Sequence, residues 1–411
     1  MADVRPFPGL RFDPSRAALA EVLCPPYDVI GPEEARGLRQ GPWNVIHLEL
    51  PEGQGDAKYL RAGRTWREWR TRGLLLQDPP SLYVLEESFG LGGRPLRRMG
   101  FLAALGVAPS AAGCVLAHER TLPKPKADRL SLVESVKANI SPIFGLFPDP
   151  GGRVRKALRR AARRSPVSSE RWRGVAYRLW RVSDSRESGL LRRALARAKI
   201  LIADGHHRYE VSREYYLRTR RSAASGVLAY LCPEEDEGLV VLPTHRVVVG
   251  GALEEARRLC RLTPCRSLSQ LLSRLERSGN PYACGLWAGR FFLAEPKNRG
   301  GCRSGLCVEW LGRFLLKGPP ERIGYTPDPR EALARARDLG GTAVFVKPLR
   351  VPQIRRAVRA IGLLPPKSTY FYPKIPAGLV FNPLDRASTR PEGPARRAEG
   401  PGPGGKRSSL L

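Results

Sequence analysis

Residues 199–219 read K-I-L-I-A-D-G-H-H-R-Y-E-V-S-R-E-Y-Y-L-R-T, an apolar run followed by Asp, Gly, two His and an Arg. The run 199–203 is short, apolar and rich in Ile, which predicts a strand. Beyond Gly205, large side chains return at helical spacing, at Tyr209, Val211, Tyr215 and Tyr216. The stretch therefore predicts a strand, a turn at the Gly and the start of a helix.

A helix that begins at this turn would present free backbone N–H groups, which favour an anion. Gly205 allows a ligand to approach the backbone, and Arg208 could bind phosphate oxygens with its guanidinium. His206 and His207 could transfer protons or attack phosphorus. Asp204 could orient a His or hold a divalent cation. The alternative is a capped helix whose His residues only satisfy backbone groups.

The length of the chain, 411 residues, exceeds one average domain and predicts two lobes. Apolar residues make up 42% of the chain, which is enough for a globular fold, and no apolar run is long enough for a membrane span. The N-terminus lacks a secretory pattern, so we expect a cytoplasmic protein that contacts no membrane.

The formal net charge of +31 comes mainly from Arg and would attract polyanions. Much of the excess lies in 153–199, which holds sixteen Arg or Lys against three Asp or Glu. Within it, Arg155, Arg159 and Arg163 recur at i, i+4 spacing and predict a helix with one basic face. This span could contact nucleic acid, or it could be a solvated helix face without a partner.

Coarse patterns divide the chain into a main α+β domain at 1–245, a smaller inserted α+β lobe at 246–345, and a segment at 346–381 that returns to the main domain. The tail at 382–411 lacks apolar periodicity, which predicts disorder. Residues 43–50 predict a strand, 56–75 a helix, and 81–89 with 99–107 a hairpin, while 252–278 predict helix and 283–294 strands. The Cys pairs have four intervening residues instead of two, so no zinc site is expected.

Six motifs in this order resemble those of the family catalogued as domain of unknown function 1015. They are CPPYDVI (24–30), NVIHLELP (44–51), HERTLPKPKADRLSLVESVKANISPIFGLF (118–147), IADGHHRYE (202–210), LPTHRVV (242–248) and PPKSTYFYPKIPAGLVF (365–381). The resemblance covers nearly the whole chain up to about residue 381. It is weakest around 296–345, and Leu364 stands where the family usually has Met.

The turn alone is similar to the phosphate-holding turn of the ParB and sulfiredoxin superfamily, through Gly205, His207 and Arg208. That likeness implies an α+β, mixed-sheet core with Arg208 and the helix start holding a phosphate. Since the superfamily includes free-serine kinases, it also implies serine or phosphoserine as substrate, with a nucleotide (ATP or ADP) and Mg²⁺ as possible cofactors.

Further candidates lie in the other motifs. A Lys beside two hydroxyls suits a phosphate oxygen, as in Lys367, Ser368 and Thr369. The acids of the 118–129 loop could act as a general base or bind a metal, with Glu119 and Asp128 preferred. The remaining candidates are expected to bind substrate or line the rim: Arg129, Asn139, Ser141 and Asp28. Asn139 and Ser141 could instead be turn formers before a Pro.

The sequence therefore predicts a phosphoryl-transfer or phosphate-ester enzyme that acts on a small polar metabolite, with the kinase or phosphatase direction undecided. A P-loop motif is absent from the sequence, which argues against a P-loop kinase. The alternatives are a ParB-like protein that binds nucleic acid or a nucleotide without turnover, and a ligand-binding regulator. The enzyme hypothesis requires Asp204, His206, Arg208, Lys367 and the 118–129 loop to line one cleft.

Overall fold

The structure is a computed structural model that describes residues 1–109, 113–119, 121, 123–250, 252–317 and 322–385. The described strands are β1 (Val4–Arg5), β2 (Leu10–Phe12), β3 (Leu75–Gln77), β4 (Leu82–Leu91), β5 (Arg94–Gly106), β6 (Val115–Leu116), β7 (Ala138–Asn139), β8 (Ile143–Phe147), β9 (Ser168–Trp172), β10 (Val175–Val182), β11 (Ile200–Asp204), β12 (Gly226–Pro233), β13 (Val240–Leu242), β14 (His245–Val248), β15 (Cys260–Cys265), β16 (Cys284–Trp287), β17 (Phe291–Pro296), β18 (Ile323–Thr326), β19 (Thr342–Phe345), β20 (Tyr370–Tyr372) and β21 (Asn382–Pro383). The described α-helices are α1 (Leu19–Val22), α2 (Pro32–Leu38), α3 (Ile46–Glu49), α4 (Ala57–Thr71), α5 (Pro123–Val136), α6 (Arg153–Ala161), α7 (Ser185–Leu195), α8 (His206–Thr219), α9 (Leu253–Leu259), α10 (Leu268–Arg277), α11 (Cys307–Trp310), α12 (Pro329–Asp338) and α13 (Val351–Ile361).

A large mixed sheet forms the centre of the main domain, in the order β6-β11-β8-β12-β5-β4-β10-β9, with β1 paired to β5. β11 runs parallel to β6 and antiparallel to β8, and β8 runs parallel to β12. Apolar clusters cover both faces of this sheet, with Leu201 in one and Ile200 in the other. Because β11 is buried on both sides, it reads as a continuous apolar run. This is the mixed α/β architecture that the sequence predicts.

Four local predictions are confirmed in the main domain. The strand and helix around Gly205 are β11 and α8, and the helix predicted at 56–75 is α4, which buries Trp66 and Trp69. The predicted hairpin is β4 and β5, whose antiparallel register closes at Leu91 and Arg94 around two glycines with positive φ. The basic helix is α6, which turns Val154 and Leu158 inward.

The strand predicted at 43–50 is wrong, because this segment contains the short helix α3. The side chain of Asn44 accepts a hydrogen bond from the Ile46 N–H at 3.0 Å and donates to the carbonyl oxygens of Glu21 and Leu23. These bonds favour a turn over an extended chain, since a local side-chain acceptor competes with strand pairing. The apolar side chains that suggested a strand pack into the core around α4.

A second sheet, in the order β15-β17-β16-β19-β14-β18, is built from residues 245–345, and the sequence predicted the smaller lobe at 246–345. The continuous helix predicted at 252–278 is wrong, because β15 separates α9 from α10. β15 pairs along its whole length with β17, and this sheet contact replaces the helical conformation. The prediction of β structure at 283–294 is confirmed by β16 and β17.

The C-terminal segment returns to the main domain after α13 and is fixed there by Arg98. This guanidinium is fully buried, binds both oxygens of Glu87 at 2.7 and 2.9 Å, and donates to the carbonyl oxygens of Tyr372 and Pro373. Of the tail predicted at 382–411, β21 pairs with β7, and residues 386–411 lie outside the described part of the chain. The segment is thus held beside the turn that follows β11.

Candidate functional site

The turn between β11 and α8 depends on a glycine. Gly205 has φ 87°, in the left-handed region that side chains disfavour. A Cβ at this position would lie 3.0 Å from Cγ2 of Ile143 and 3.1 Å from both Nε and Nη2 of Arg208. The missing side chain therefore lets Arg208 fold back over the start of its own helix.

Asp204, at the end of β11, is held between two cations. Nη2 of Arg208 lies 2.6 Å from one carboxylate oxygen, and the ammonium of Lys374 contacts the other. Burial alone would raise the pKa of Asp204, but Lys374 and Arg208 outweigh it and hold that pKa well below its usual range. Asp204 is therefore a fixed anion at the floor of the turn.

Arg208 is directed mostly inward, in contrast to the prediction that it faces a phosphate. Besides its bond to Asp204, its Nη1 donates to the carbonyl oxygen of Pro142 at 2.5 Å. Its Nε is buried and has no hydrogen-bond partner among the described residues. In this arrangement Arg208 shapes the turn, and a ligand phosphate would meet the helix start and its neighbours first.

Two histidines stack beneath the turn. The rings of His118 and His206 have centroids 4.6 Å apart, and Nε2 of His206 accepts the backbone N–H of His118 at 3.3 Å. Nδ1 of His118 donates to the carbonyl oxygen of Ile202, so Nε2 is left to accept from the Thr369 hydroxyl at 2.9 Å. Burial lowers the pKa of His118 to about 4 and that of His206 well below its ordinary value. Both rings are neutral and act as parts of the framework.

Glu119 and Lys367 meet at the open side of the site. Oε1 of Glu119 accepts the backbone N–H of Lys367 at 2.7 Å, and Nζ of Lys367 lies 3.5 Å from Oδ2 of Asp28. Burial raises the pKa of Glu119, and the Lys367 hydrogen bond opposes that shift only in part. Lys367 itself has φ 56°, a strained conformation for a residue with a side chain.

His207 faces the same opening as Lys367. Its ring is half-buried, and burial lowers its pKa, while the carboxylates of Glu210 and Asp28 act in the opposite direction. Lys367 and Lys126 also act on it through space. Of the two adjacent histidines, His207 is therefore half-buried, and His206 is on the core side of the helix start.

Asp128 and Arg129 belong to a neighbouring cluster. Asp128 accepts hydrogen bonds from Lys58 at 2.6 Å and Tyr59 at 2.8 Å, and it also binds Arg129. Burial would raise its pKa, but Arg129 and Lys58 lower that pKa to about 2. The geometry does not favour the predicted role of Asp128 as a base, because its partners occupy both carboxylate oxygens and its low pKa makes it a weak proton acceptor.

A cavity of about 30 Å³, enough for one or two water molecules, separates this cluster from the turn. Glu49, Arg129, Asn139, Ser141 and Arg208 line it. The hydroxyl of Ser141 donates to Glu49 at 2.9 Å, and the amide of Asn139 joins neighbouring backbone and side chains. Both residues are committed to internal hydrogen bonds, as is Arg129, which donates to the Glu49 carbonyl oxygen at 2.6 Å.

The three residues of the predicted phosphate motif, 367–369, have different partners in the structure. The hydroxyl of Ser368 is buried and donates to the carbonyl oxygen of Pro365 at 2.6 Å, which closes a local turn. Thr369 binds His118, and only Lys367 reaches the open side. Lys374, five residues beyond Thr369, was not among the candidates predicted from the sequence, although it lies within the motif PPKSTYFYPKIPAGLVF. In the structure, the peptide bond before its neighbour Pro373 is cis.

The residues around Asp204 do not fit a magnesium ion as they are arranged. Its carboxylate is already neutralised by two cations, and within the described ranges no group of three or more His, Cys, Asp or Glu could hold a metal.

For the basic span, the structure places Arg155 against Asp149, and Arg160 and Arg164 against Glu187. None of the helices in the described part of the chain has the length and apolar character needed to cross a bilayer.

The family model described as "Protein of unknown function (DUF1015)" matches residues 4–294. No curated protein is significantly similar to the chain. Among solved structures, it is similar to a conserved hypothetical protein from Pyrococcus furiosus, at 15% identity over 64% of this chain and 90% of that one, with TM-score 0.36. It is also similar to a mutant free serine kinase in complex with AMP, at 13% identity over 63% and 84%, with TM-score 0.36. A truncated SbnI from Staphylococcus aureus matches at 12% identity over 69% and 87%, with TM-score 0.35. At these TM-scores the likenesses support no inference about this chain.

Proposed function

This chain belongs to the DUF1015 family, whose function is not known, and we propose that it transfers a phosphoryl group to or from a small polar metabolite, serine or phosphoserine. The observation that carries the proposal is that distant chain segments meet at residues 204–208, which contain the start of α8. The other segments are residue 28, residues 118–119 and residues 367–374. Phosphoryl transfer needs positioned charges more than unusual groups, and this is what the segments supply.

The phosphate would be held at the N-terminus of α8, where the first backbone N–H groups have no acceptor within the helix. Lys367 is the cation best placed to assist. Its ammonium is about half exposed and its pairing with Asp28 is loose, at 3.5 Å. An exposed pair of this kind contributes little to stability, so the ammonium can move to a phosphate oxygen at low cost. Asp204 cannot compete for the ligand, since Lys374 and Arg208 neutralise it.

Glu119 is our candidate for the general acid or base. Burial raises its pKa, which moves a carboxyl group towards the range where it can exchange protons near neutral pH. It lies beside Lys367 and would receive the proton of the substrate hydroxyl as the phosphoryl group arrives, or return it in the reverse direction. His207 is the second group that could carry a proton at the opening. His206 and His118 act as positioning residues, because their ring nitrogens bind one another's segments.

In the kinase direction a nucleotide, ATP or ADP, would supply the phosphoryl group and leave with one phosphate fewer. In the reverse of that reaction ADP would accept the group from phosphoserine, and in the phosphatase direction water would accept it. The substrate assignment rests on the likeness of the Gly205, His207 and Arg208 turn to that of a superfamily that includes free-serine kinases. No step is assigned to a metal ion.

The test is turnover by the full chain, followed by phosphorus NMR, with serine plus ATP in one arm and phosphoserine with or without ADP in the other. Lys367→Met and Glu119→Gln should each lower kcat/KM by about 100-fold or more. Lys199→Met removes an exposed lysine at the opposite end of β11 and should leave turnover unchanged. Undiminished turnover in both site variants would overturn the site assignment.

Absence of phosphate exchange in either arm would overturn the reaction itself. If, in addition, RNA bound to the chain with a steep dependence on salt, the alternative of a nucleic-acid-binding protein would be preferred. Substitution by Gln of Arg159 on α6 and of Arg163 just beyond its end would then be expected to reduce that slope.

A further inference from the structure

Arg246 is a buried cation that the proposed reaction does not use. It lies on β14, opposite Tyr325 of the edge strand β18. Only 4% of the residue is exposed. Its guanidinium carbon is 5.8 Å from the Tyr325 ring centroid. It belongs to the motif LPTHRVV (242–248).

The hydrogen bonds of Arg246 leave most of its donors unused. A guanidinium has five N–H donors, and within the described residues only Nη1 forms a hydrogen bond, to the carbonyl oxygen of Thr244. It also has no salt bridge to a described carboxylate. The hydroxyl of Thr244, which lies just before β14, is buried and likewise lacks a partner among the described residues.

Two other buried arginines show how this protein satisfies a guanidinium that has only a structural role. Arg98 binds both oxygens of Glu87 and two carbonyl oxygens, and Arg129 binds Asp128 and a carbonyl oxygen. A buried charge without such partners is costly, because water is removed and nothing replaces it. Arg246 therefore lacks an anion that its surroundings call for.

The groups that surround Arg246 do not supply that anion. Burial raises the pKa of Tyr325, so the phenol is neutral near pH 7. A hydrogen bond to Cys307, together with burial, raises the pKa of Cys284 well above its ordinary value. Glu119 acts on Arg246 only through space, and its carboxylate is bound to Lys367. Glu119 and Arg246 are therefore close enough to interact electrostatically.

We propose that Arg246, with the hydroxyl of Thr244, binds the carboxylate group of the substrate. A carboxylate matches the forked donors of Arg in a bidentate pair. The substrate class is then a small hydroxy amino acid, with its hydroxyl near Glu119 and its carboxylate on Arg246. This inference rests on the proposed function for the position of the reacting hydroxyl, and it assigns the group that selects the substrate.

The experiment compares ligands that differ only in the carboxylate, by calorimetric titration of the full chain. The pairs are L-serine with L-serinamide, and O-phosphoserine with O-phosphoethanolamine. The wild-type chain should bind each acid about 10- to 100-fold more tightly than the counterpart that lacks the carboxylate. Arg246→Gln should abolish that preference, and Arg257→Gln, an exposed arginine on α9 of the same lobe, should retain it.

Equal binding of serine and serinamide by the wild-type chain would overturn the inference, and this comparison needs no variant that might fold poorly. Arg246→Lys, which keeps the charge without the fork, should give an intermediate preference. Inorganic phosphate that displaces serine through Arg246 would show a phosphate subsite and also overturn the carboxylate assignment. If the chain prefers the carboxylate ligands through Arg246 but transfers no phosphoryl group, the carboxylate subsite is supported and the proposed function is overturned. If the chain transfers a phosphoryl group equally well to ligands with and without the carboxylate, the proposed function is supported and the carboxylate subsite is overturned.

Discussion

Replacing Gly205 with Ala should destabilise the protein through two separable effects. The φ of 87° costs an Ala about 1–2 kcal/mol, offset by about 0.4–1 kcal/mol because Ala reduces the entropy of the unfolded chain. The new Cβ would also lie 3.0 Å from Ile143 and 3.1 Å from the Arg208 guanidinium. Crowding of this degree costs about 1–3 kcal/mol. It would also displace Arg208 from Asp204.

The matched control is Gly174→Ala. Gly174 lies in the turn between β9 and β10 with φ 77°, and a Cβ there meets nothing within 4 Å. It should therefore show the backbone penalty alone. Urea unfolding should place Gly205→Ala about 1–3 kcal/mol below Gly174→Ala, with equal slopes for both variants. Equal losses in the two variants would refute the crowding argument, and a gain in stability at Gly205 would refute the backbone argument.

Three further outcomes are expected. Burial holds the pKa of His118 at about 4, below its ordinary 6.5, so the unfolded chain takes up the proton first; stability should be fullest above pH 6.5 and fall by about 3 kcal/mol towards pH 4. His118→Asn should reduce this fall in the free energy of unfolding between pH 6.5 and pH 4. An unchanged pH dependence in the variant would contradict the assignment of the fall to His118. Lys374→Met should cost about 3–5 kcal/mol at pH 7, and acid titration should show the deficit shrinking as Asp204 of the variant becomes protonated. Arg98→Met should cost a similar amount, and adding Glu87→Leu should recover part of it in a double-mutant cycle; a purely additive result would contradict the buried pair.

Much of the local structure follows from the sequence because it depends on short-range pattern. The turn at Gly205, the helix α4 and the β4–β5 hairpin are each set by periodicity and by glycines at turns. The segment 43–50 could not be predicted in this way. Its helix α3 depends on Asn44 binding two carbonyl oxygens more than twenty residues away in the chain.

The turn at the centre of the candidate site was predictable from the sequence. The contacts that other side chains make around this turn were not. The turn itself indicates an anion site, but nothing local shows that Arg208 bends back to Asp204 or that Lys374 completes that pair. His118 meets His206, 88 residues along the chain, and nothing in either motif indicates that pairing. Arg246 illustrates the same limit, since its unused donors become visible only when its neighbours are known.

The C-terminal segment has a consequence for how the protein is made. Lys367 and Asp28 are separated by 339 residues, and Lys374 and Asp204 by 170. Closing such long loops is slow compared with forming neighbouring contacts. A ribosome-bound nascent chain would already contain β11 and α8 but neither lysine, so the buried carboxylate of Asp204 would lack one of its two cations during synthesis. Completion of the site is thus coupled to completion of translation, and a nascent chain that has not reached residue 367 lacks both lysines of the proposed site.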